Sequence, residues 1–501
     1  MGYMAQISYS PIIDHNIIML MPRPILSTSE LLLPIPSRQP HSSPPRKRTN
    51  KRVVALDAFR GFNVMLMIFV DNVGGALPFI DHSPWSGVAL ADFVMPWFDF
   101  MVGVSIALSF KKFVTPTRLD DAESTMRCRG CKKASKRFLK IFFLGVLTQG
   151  CQDLFVCNLK YVRIMGILQR VAVCFILTAA VELYTGTATK VRDYKNEEAA
   201  HMAVCQRSKW HWFACSCLCL LWTIIMYGIN VAPAFGEPCG SGVLTPACNA
   251  QRVVDAAILG VNHMYFPANG GNLIGNDVTF QRLKNCSSCS PGKCVAPANA
   301  SSWCTEAPFD PEGLVSSLTA TADTMIGAHA GFVMLMLAKD TWRVRHWFGL
   351  GLVMVTITLP LHYCDVQLWN TDLYTVTFLM LTSGMACLVL SLFYYLIEVR
   401  ACCFHFFQPM VWVGKNAITV YVLAESGFPQ WLLSIFYIHG NPNDNLANVL
   451  WPSGVFWGPV DGERPTHPSY SMHILLWTVA YIAVWTIVAW WMDRQKIYVK
   501  I

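Results

Sequence analysis

The chain has 501 residues, of which 53% are hydrophobic and only 14% are charged. Soluble globular proteins carry about 25% charged residues, so this chain has too little charge to solvate the surface of a soluble enzyme of its size. The same apolar composition excludes collagen, a coiled coil and disorder of the whole chain. Aromatic residues make up 12%, with 17 Trp, as is typical of the belts at membrane–water interfaces. The composition therefore predicts a membrane protein.

The N-terminal segment differs from the rest of the chain. Residues 1–51 are rich in Pro and Ser and lead into the basic run PRKRTNKR. The apolar stretch IIMLM within it is broken by PRP, so it is too short for a signal-peptide core or a span. We expect a disordered, basic cytoplasmic tail over residues 1–51 and a single transmembrane domain over residues 52–501.

Apolar stretches of about 20 residues, the length that crosses a bilayer as a helix, recur along that domain. They predict an all-α, polytopic membrane helix bundle with about ten transmembrane helices. Whether an eleventh transmembrane helix exists is left open, because the segment 428–438 is apolar but too short to span alone. The ten predicted centres lie near residues 67, 100, 144, 173, 222, 326, 353, 385, 416 and 482.

Basic residues follow every second predicted span, and this alternation sets the orientation. Cytoplasmic loops carry an excess of Lys and Arg. The basic clusters lie before the first span and after the second, fourth, sixth, eighth and tenth, where they include RCRGCKK, KVRDYK, AKDTWRVR, IEVR and DRQK. Both termini are thus predicted to be cytoplasmic. Topology alone explains this charge, so we expect no nucleic-acid partner.

A long loop on the opposite side, about residues 233–313, is predicted to be luminal. It contains two N-glycosylation sequons, at Asn285 and Asn299, which are either used or silent. An oxidising lumen favours disulfides among its six cysteines, for which fifteen pairings can be drawn. Cys128 and Cys131 form a lone cytoplasmic CxxC, which favours free thiols over zinc, and we expect no metal. The disulfide candidates are Cys239, Cys248, Cys286, Cys289, Cys294 and Cys304, with Cys151 and Cys157 in another luminal loop.

Polar and ionisable residues inside predicted spans are costly and indicate function or pairing. Three spans carry most of them, and a histidine, His82, lies in the loop that joins the first two spans. Imidazole can act as a general base or as a nucleophile near neutral pH. Structural pairing is the alternative for several members, such as Asp57 with Arg60 at helical spacing, or Arg170 with a carboxylate such as Asp92. The set comprises Asp57, Arg60, Asp71, Asn72, Asp92, Arg163, Gln169, Arg170 and Asn416.

Several motifs in this order resemble the heparan-alpha-glucosaminide N-acetyltransferase family. The resemblance covers about residues 52–495. The motifs are LDAFRG, DHSPWSG, ADFVMPWF, RIMGILQR, RVVDAAILGVNHMY, FDPEG and VGKNAITVYV.

The resemblance implies a transferase that moves acetyl from cytosolic acetyl-CoA to a terminal glucosamine-like amine, or a hydroxyl, on the luminal side. The family's catalytic histidine matches His82, and an assisting asparagine of the first span falls at Asp71, with Asn72 adjacent. Either Asn72 replaces that asparagine after a small helix shift, or a carboxylate takes its place. The family's setting implies a lysosomal, vacuolar or other endomembrane, with the plasma membrane also open.

The catalytic candidates are therefore His82, Asp71 and Asn72. The expected partners are the lipid bilayer, acetyl-CoA and an amino-sugar or glycan acceptor, and a homodimer is one option for the assembly. A transporter of a small sugar or acyl metabolite and a catalytically inactive family member are the alternatives. The candidates for binding substrate or cosubstrate are Asp57, Arg60, Trp85, Asp92, Arg163, Gln169, Arg170 and Asn416.

Overall fold

The computed structural model divides the chain into two units, Met1–Arg52 and Val53–Ile501. Of the first unit only Arg52 is described, so the predicted tail lies outside the described residues. The structure describes residues 52–74, 77, 79–83, 85–114, 123–150, 159, 162–186, 196–232, 239–245, 248–260, 263–264, 309–402, 404–425, 428–436, 446, 450 and 468–499.

These described residues form helices, with one isolated β-bridge between Asn230 and Ser241. A short 3₁₀ turn, Ala91–Phe93, leads into the second helix, and π-helical turns follow at Val146–Gly150 and Tyr395–Val399. The α-helices are α1 (Val54–Val73), α2 (Val94–Val114), α3 (Glu123–Gly145), α4 (Ile167–Thr185), α5 (Glu197–Gly228), α6 (Ala250–Leu259), α7 (Ser316–Met336), α8 (Asp340–Tyr363), α9 (Val376–Tyr394), α10 (Phe404–Lys415), α11 (Ala417–Glu425), α12 (Phe428–Ser434) and α13 (Pro468–Arg494).

Six helical segments of the described chain are long and apolar enough to cross a membrane. The prediction of an all-helical, multi-pass membrane protein is confirmed, whereas the count of about ten spans stays a prediction. Four predicted spans coincide with helices that fall below this measure, namely α1, α3, α7 and the pair α10 and α11. The six segments are Ala91–Lys111, Ile167–Thr185, Glu197–Gly228, Asp340–Tyr363, Val376–Val399 and Met472–Arg494.

Helix α7 is the centre of the core, since nearly all its side chains are buried, and it crosses α2 at backbone contact. A Cβ atom on Gly103 of α2 would lie 1.9 Å from the carbonyl oxygen of Thr324. A Cβ atom on Gly327 of α7 would lie 2.0 Å from the carbonyl oxygen of Phe100. Only glycine permits this approach, which places the polar middle of α7 beside α2.

Helices α1 and α10 cross in the same way. A Cβ atom on Gly61 would lie 1.7 Å from the carbonyl oxygen of Met410, and one on Gly414 would lie 1.8 Å from that of Asp57. Two residues later the helix is interrupted at Asn416, between α10 and α11. The predicted ninth span is therefore a broken helix, with its break beside the close crossing.

The basic residues after the second predicted span do not all lie in a loop, which corrects the sequence-based expectation. The whole of RCRGCKK, and SKR just after it, belongs to α3, which begins at Glu123. Met126, Ala134 and Ile141 of this helix are buried, while Lys133 is exposed. The helical spacing of small and apolar residues thus gives α3 one face against the bundle, although its charge had suggested a loop.

On the side predicted to be luminal, Cys239 and Cys248 form a disulfide. Next to it, α6 begins with Asn249, whose side chain accepts a hydrogen bond from the backbone N–H of Arg252 at 2.8 Å. The remaining disulfide candidates and both sequons lie outside the described residues, namely Cys286, Cys289, Cys294, Cys304, Cys151, Cys157, Asn285 and Asn299.

Candidate active site

The loop between α1 and α2 presents His82 next to a buried carboxylate. The Nδ1 atom of His82 lies 2.7 Å from Oδ1 of Asp92, whose side chain is fully buried, whereas the His82 side chain is 57% exposed. The second oxygen of Asp92 accepts hydrogen bonds from the backbone N–H groups of Ser83 and Ala89, at 3.2 and 2.8 Å. Because a carboxylate only accepts, Nδ1 carries the hydrogen and Nε2 is left to exchange a proton with a ligand.

The surroundings of His82 are negatively charged. Partial desolvation of the imidazole opposes its protonation, but the hydrogen bond and charge of Asp92, with the charges of Asp71 and Asp81, raise the pKa of His82 to about 9. The backbone N–H of His82 also donates to Oδ1 of Asp81, at 2.8 Å. The imidazole is therefore held mostly as the cation at neutral pH.

Asp71 and Asn72, the two catalytic candidates at the end of α1, have side chains in different surroundings. Asp71 is exposed and interacts electrostatically with His82. Asn72 is 2% exposed, and its Nδ2 donates to the carbonyl oxygen of Ile68 at 2.6 Å, within the same helix. The structure thus brings Asp71, and not Asn72, together with His82.

A second charged cluster comes from the FDPEG segment. The guanidinium of Arg163 donates to Asp310 at 2.7 Å and also bonds to Glu312. Burial acts to raise the pKa of Glu312, but the positive charges of Arg163, Arg170 and His82 lower it below its ordinary value. The Glu312 carboxylate is therefore ionised and within electrostatic reach of His82.

Helix α6 fixes this segment. The carboxylate of Asp255 accepts from the backbone N–H groups of Leu314 and Val315, at 3.0 and 3.3 Å. A Cβ atom on Gly313 would lie 1.9 Å from Oδ2 of Asp255, so a larger residue would displace the segment. Glu312, the neighbour of Gly313, is thereby held in a defined position.

Trp85 anchors the His82 loop to the same region. Its indole N–H donates to the carbonyl oxygen of Leu244 at 2.8 Å, and its ring meets Phe309 edge-on at 5.6 Å. The backbone N–H of Gly87 donates to the carbonyl oxygen of Trp369 at 2.9 Å. Three separate segments therefore hold the loop.

Arg170 does not pair with Asp92, which corrects the sequence-based suggestion. Its Nε lies 4.0 Å from Oδ2 of Asp99, seven residues further along the chain in α2, while Asp92 is engaged by His82. Arg170 is 4% exposed and Asp99 is fully buried. The charge of Arg170 therefore lies within the bundle, between α4, α2 and the FDPEG segment, where its Nη1 donates to Pro311 O at 3.4 Å.

A cavity of about 580 Å³ lies among α1, α2, α3, α4 and the break between α10 and α11. Its walls are largely apolar, with Met101, Phe175 and Tyr421 among them, and one part of its lining is strongly basic. The cationic lining residues are Arg60, Lys133, Lys136, Arg137, Lys140 and Lys415.

Two of the sequence-predicted binding residues line this cavity. Arg60 donates to Ser105 Oγ at 2.9 Å and pairs with Asp57 at 3.3 Å, so Asp57 supports Arg60 from within α1. Asn416 lies at the helix break, is 2% exposed, and neither atom of its amide has a hydrogen-bond partner among the described residues. A buried amide of this kind fits a polar ligand group.

Gln169 belongs to neither cluster. It is fully buried, and its amide packs against Gly145 and Gly166, where an added Cβ would lie 2.4 and 2.9 Å from its Oε1. Its amide atoms also have no hydrogen-bond partner among the described residues.

Sequence reasoning missed the acidic and basic residues that complete these two regions. Glu312 carried a signal, since FDPEG was one of the motifs behind the resemblance, but no pattern related it to His82. The basic residues of α3 were attributed to topology alone, because the positive-inside rule explains any cytoplasmic basic cluster. Their place in a cavity lining was therefore not predicted. The missed residues are Glu312, Lys133, Lys136, Arg137, Lys140 and Lys415.

Comparison with known proteins supports the resemblance found in the motifs. Residues 52–190, which contain His82 and Asp92, match the family described as "Heparan-alpha-glucosaminide N-acetyltransferase, catalytic". The chain is also similar to two curated heparan-alpha-glucosaminide N-acetyltransferases. It is 26% identical to the Mus musculus protein of that name over 435 residues, which is 81% of this chain and 59% of the relative. It is also 26% identical to the Homo sapiens protein over 440 residues, 81% of this chain and 58% of the relative.

The chain thus spans less than two thirds of the length of the curated heparan-alpha-glucosaminide N-acetyltransferases that it matches. The catalytic match includes the His82 loop, Asp71 and both arginines of RIMGILQR, and it ends before Glu312 and Asn416.

Proposed function

We propose that this protein is a membrane acetyltransferase that moves the acetyl group of acetyl-CoA to the amine of a glucosamine-like sugar. The observation that carries the proposal is the His82–Asp92 pair at 2.7 Å, with Asp71 and Glu312 within electrostatic reach of the imidazole. Both curated relatives are named for N-acetyl transfer to a heparan glucosaminide, which supports the proposal.

In this proposal His82 is the general base. Asp92 orients the ring through Nδ1, so Nε2 of the neutral imidazole, the minor form at neutral pH, takes a proton from the acceptor ammonium, and the free amine attacks the thioester carbonyl carbon. The new C–N bond forms, the C–S bond breaks, and CoA leaves as a thiolate that takes up the second proton lost by the nitrogen. In the alternative route the acetyl group passes first to Nε2 of His82 and then to the acceptor.

Asp71 and Glu312 are proposed to receive the acceptor. An amino sugar arrives as an ammonium ion, and carboxylates near the base attract it. Asp71 is exposed at the end of α1, and Glu312 is ionised beside Arg163. This role accounts for a carboxylate, rather than a carboxamide, at position 71.

The cavity of about 580 Å³ is proposed to take acetyl-CoA. Its cationic lining suits the phosphates, its apolar walls suit the pantetheine chain, and the unpartnered amide of Asn416 suits the pantetheine amides. The basic residues of α3 lie on the side predicted to be cytoplasmic, and His82 lies on the side predicted to be luminal, so the transfer would run across the bundle.

The test is transfer of labelled acetyl from acetyl-CoA to glucosamine by the detergent-purified full chain. We expect N-acetylglucosamine from wild type and no product above background from His82→Ala. The control variant is His405→Ala, because His405 is exposed and outside both clusters. Absence of product from a folded, CoA-binding wild type would refute the function.

The same labelled donor without acceptor separates the two routes. Label retained on wild type and lost in His82→Ala indicates an acetyl-enzyme. Label on neither protein, together with product in the full reaction, indicates direct transfer.

A further inference from the structure

A buried cluster inside the bundle joins Arg170 to two residues that the proposed reaction does not otherwise use. Tyr374 lies between α8 and α9 and is 1% exposed. Asp323 lies in α7 and is fully buried. Ionisable groups at such depth are costly unless they are paired or functional.

The cluster is a chain of contacts that ends on the guanidinium. The Cζ atom of Arg170 lies 5.4 Å from the ring centroid of Tyr374, within the range of a cation–π contact. The phenol of Tyr374 donates to Oδ2 of Asp323 at 2.9 Å, and the hydroxyl of Ser383 donates to Oδ1. Asp323 therefore fixes the ring, and the face of the ring supports Arg170.

The backbone of Tyr374 is strained in a way that supports this orientation. Its φ angle is +47°, in the left-handed region that a bulky residue rarely adopts. The turn is held by Asn370, whose Oδ1 accepts from the N–H of Leu373 at 2.7 Å and whose carbonyl oxygen accepts from Thr375 at 3.2 Å. Such strain persists only where the surroundings over-determine it, and it concentrates at functional sites.

The other contacts of Arg170 leave one donor unused. Its Nη1 donates to the carbonyl oxygen of Pro311 at 3.4 Å, next to Glu312. Its Nε has no hydrogen-bond partner among the described residues and lies 4.0 Å from Oδ2 of Asp99. Leu168 and Val171, its neighbours on α4, line the proposed acetyl-CoA cavity. Arg170 is thus a fixed cation between the donor cavity and the segment that carries Glu312.

We propose that Tyr374, held by Asp323, is a positioning residue that fixes Arg170 where its charge stabilises the negative thioester oxygen formed in acetyl transfer. The inference rests on the proposed function. As the acceptor nitrogen bonds to the carbonyl carbon, the C=O electron pair moves to oxygen. It returns when the C–S bond breaks and the thiolate leaves. A preorganised cation near that oxygen lowers the barrier and leaves ground-state binding of acetyl-CoA unchanged.

A double-mutant cycle on kcat tests this role. Loss of one donor to such an oxygen costs about 100- to 1,000-fold in kcat, so we expect a loss of that order in Arg170→Gln. Tyr374→Leu should lower kcat about tenfold or more with KM for acetyl-CoA unchanged. In the Arg170→Gln background, Tyr374→Leu should have no further effect on kcat. Tyr374→Phe keeps the ring but loses the hydrogen bond to Asp323, so kcat should fall by less than in Tyr374→Leu.

Phe378→Leu is the matched control, because Phe378 meets the Tyr374 ring at 5.3 Å, whereas the cation–π contact of Arg170 is with Tyr374. Its effect on kcat should add to that of Arg170→Gln. The positioning role would be overturned if the losses in kcat from Tyr374→Leu and Arg170→Gln were additive, or if Tyr374→Leu changed only the KM for acetyl-CoA. The acetyltransferase function would stand in either case. A folded wild type that transfers no acetyl group would overturn both.

Discussion

At the scale of single residues, the active-site candidates divide by whether their side chains face an open space or the packed bundle. His82 and Asp71 are exposed, whereas Asp92 and Asn72 are buried and engaged. An exposed imidazole backed by a buried carboxylate can exchange protons with a ligand. The adjacent positions 71 and 72 differ because successive residues of a helix point about 100° apart.

The raised pKa of His82 predicts a pH profile. Only the neutral imidazole is a base, so kcat/KM should rise with pH until about 9, the pKa of His82. Asp92→Asn removes the hydrogen bond and the charge that raise this pKa, so the rising limb should move down towards 6.5, the ordinary value. Asp365→Asn, at an exposed residue after α8, should leave the profile unchanged. Identical pH profiles for wild type and Asp92→Asn would contradict the effect of Asp92 on the pKa of His82.

The carboxylate at position 71 predicts an effect on the acceptor. Asp71→Asn removes one negative charge beside His82, so KM for an amine acceptor should rise, with a smaller change for a hydroxyl acceptor. The measurement is steady-state transfer to glucosamine at saturating acetyl-CoA. A strong increase in kcat would instead mean that the carboxylate at position 71 lowers the activity of this chain.

At the scale of helices, function depends on where helices approach closely and where they break. Glycines let α1 cross α10 and let α2 cross α7 at backbone contact, and the break at Asn416 opens the cavity wall beside the first crossing. The predicted spans near residues 67, 100, 144 and 326 correspond to real helices. The break near 416 escaped the apolar pattern because hydropathy does not report hydrogen bonding of the backbone.

The α2–α7 crossing predicts a steric cost. A methyl group at Gly103 meets a backbone carbonyl, which cannot move aside, so Gly103→Ala should destabilise the protein by about 1–3 kcal/mol. Gly349→Ala is the control, since nothing lies within 4 Å of its Cβ position in α8, and it should be neutral or stabilising. Thermal unfolding in detergent measures both. Equal transition temperatures would contradict the close packing.

The basic face of α3 predicts a donor-specific effect. Lys136→Glu should raise KM for acetyl-CoA by about 3- to 10-fold, because it reverses a charge in the cavity lining. The effect should shrink at high salt, where exposed charges are screened. Lys132→Glu changes an exposed residue of the same helix outside the lining, and its KM should stay at the wild-type value. Equal increases in KM for Lys136→Glu and Lys132→Glu would mean that acetyl-CoA is attracted by the overall charge of α3 and not by the cavity lining.

At the scale of the whole molecule, the proposed donor cavity and His82 belong to sides of the bundle that the charge alternation predicts to be opposite. Lys136 and Lys140 line the cavity on the basic side. Trp85 and Arg163 hold segments on the side of the Cys239–Cys248 disulfide. In the proposed reaction the acetyl group would therefore pass through the bundle, past the fixed charge of Arg170.

Two free, exposed cysteines test this orientation. Cys128 is predicted to be cytoplasmic and Cys364 luminal. A membrane-impermeant maleimide added to sealed vesicles with the cytoplasmic face outside should label Cys128 and reach Cys364 only after permeabilisation. Cys128→Ser and Cys364→Ser assign each label. Labelling of Cys364 in sealed vesicles would reverse the topology.

Sequence by itself determined the helical membrane class, the charge alternation and the resemblance to a known family. These follow from local composition, since span length, loop charge and motif order need no knowledge of which helices touch. It also predicted the importance of His82, Asp92 and Arg170.

Only the tertiary structure decided which side chains pair with one another. It assigned Asp92 to His82 and Asp99 to Arg170, brought Glu312 into reach of His82, and placed Tyr374 under the guanidinium. Residues 170, 312 and 374 are far apart in the chain, and their pairing depends on backbone approach and side-chain direction in the packed bundle. No local pattern carries that information, because each contact is set by several helices at once.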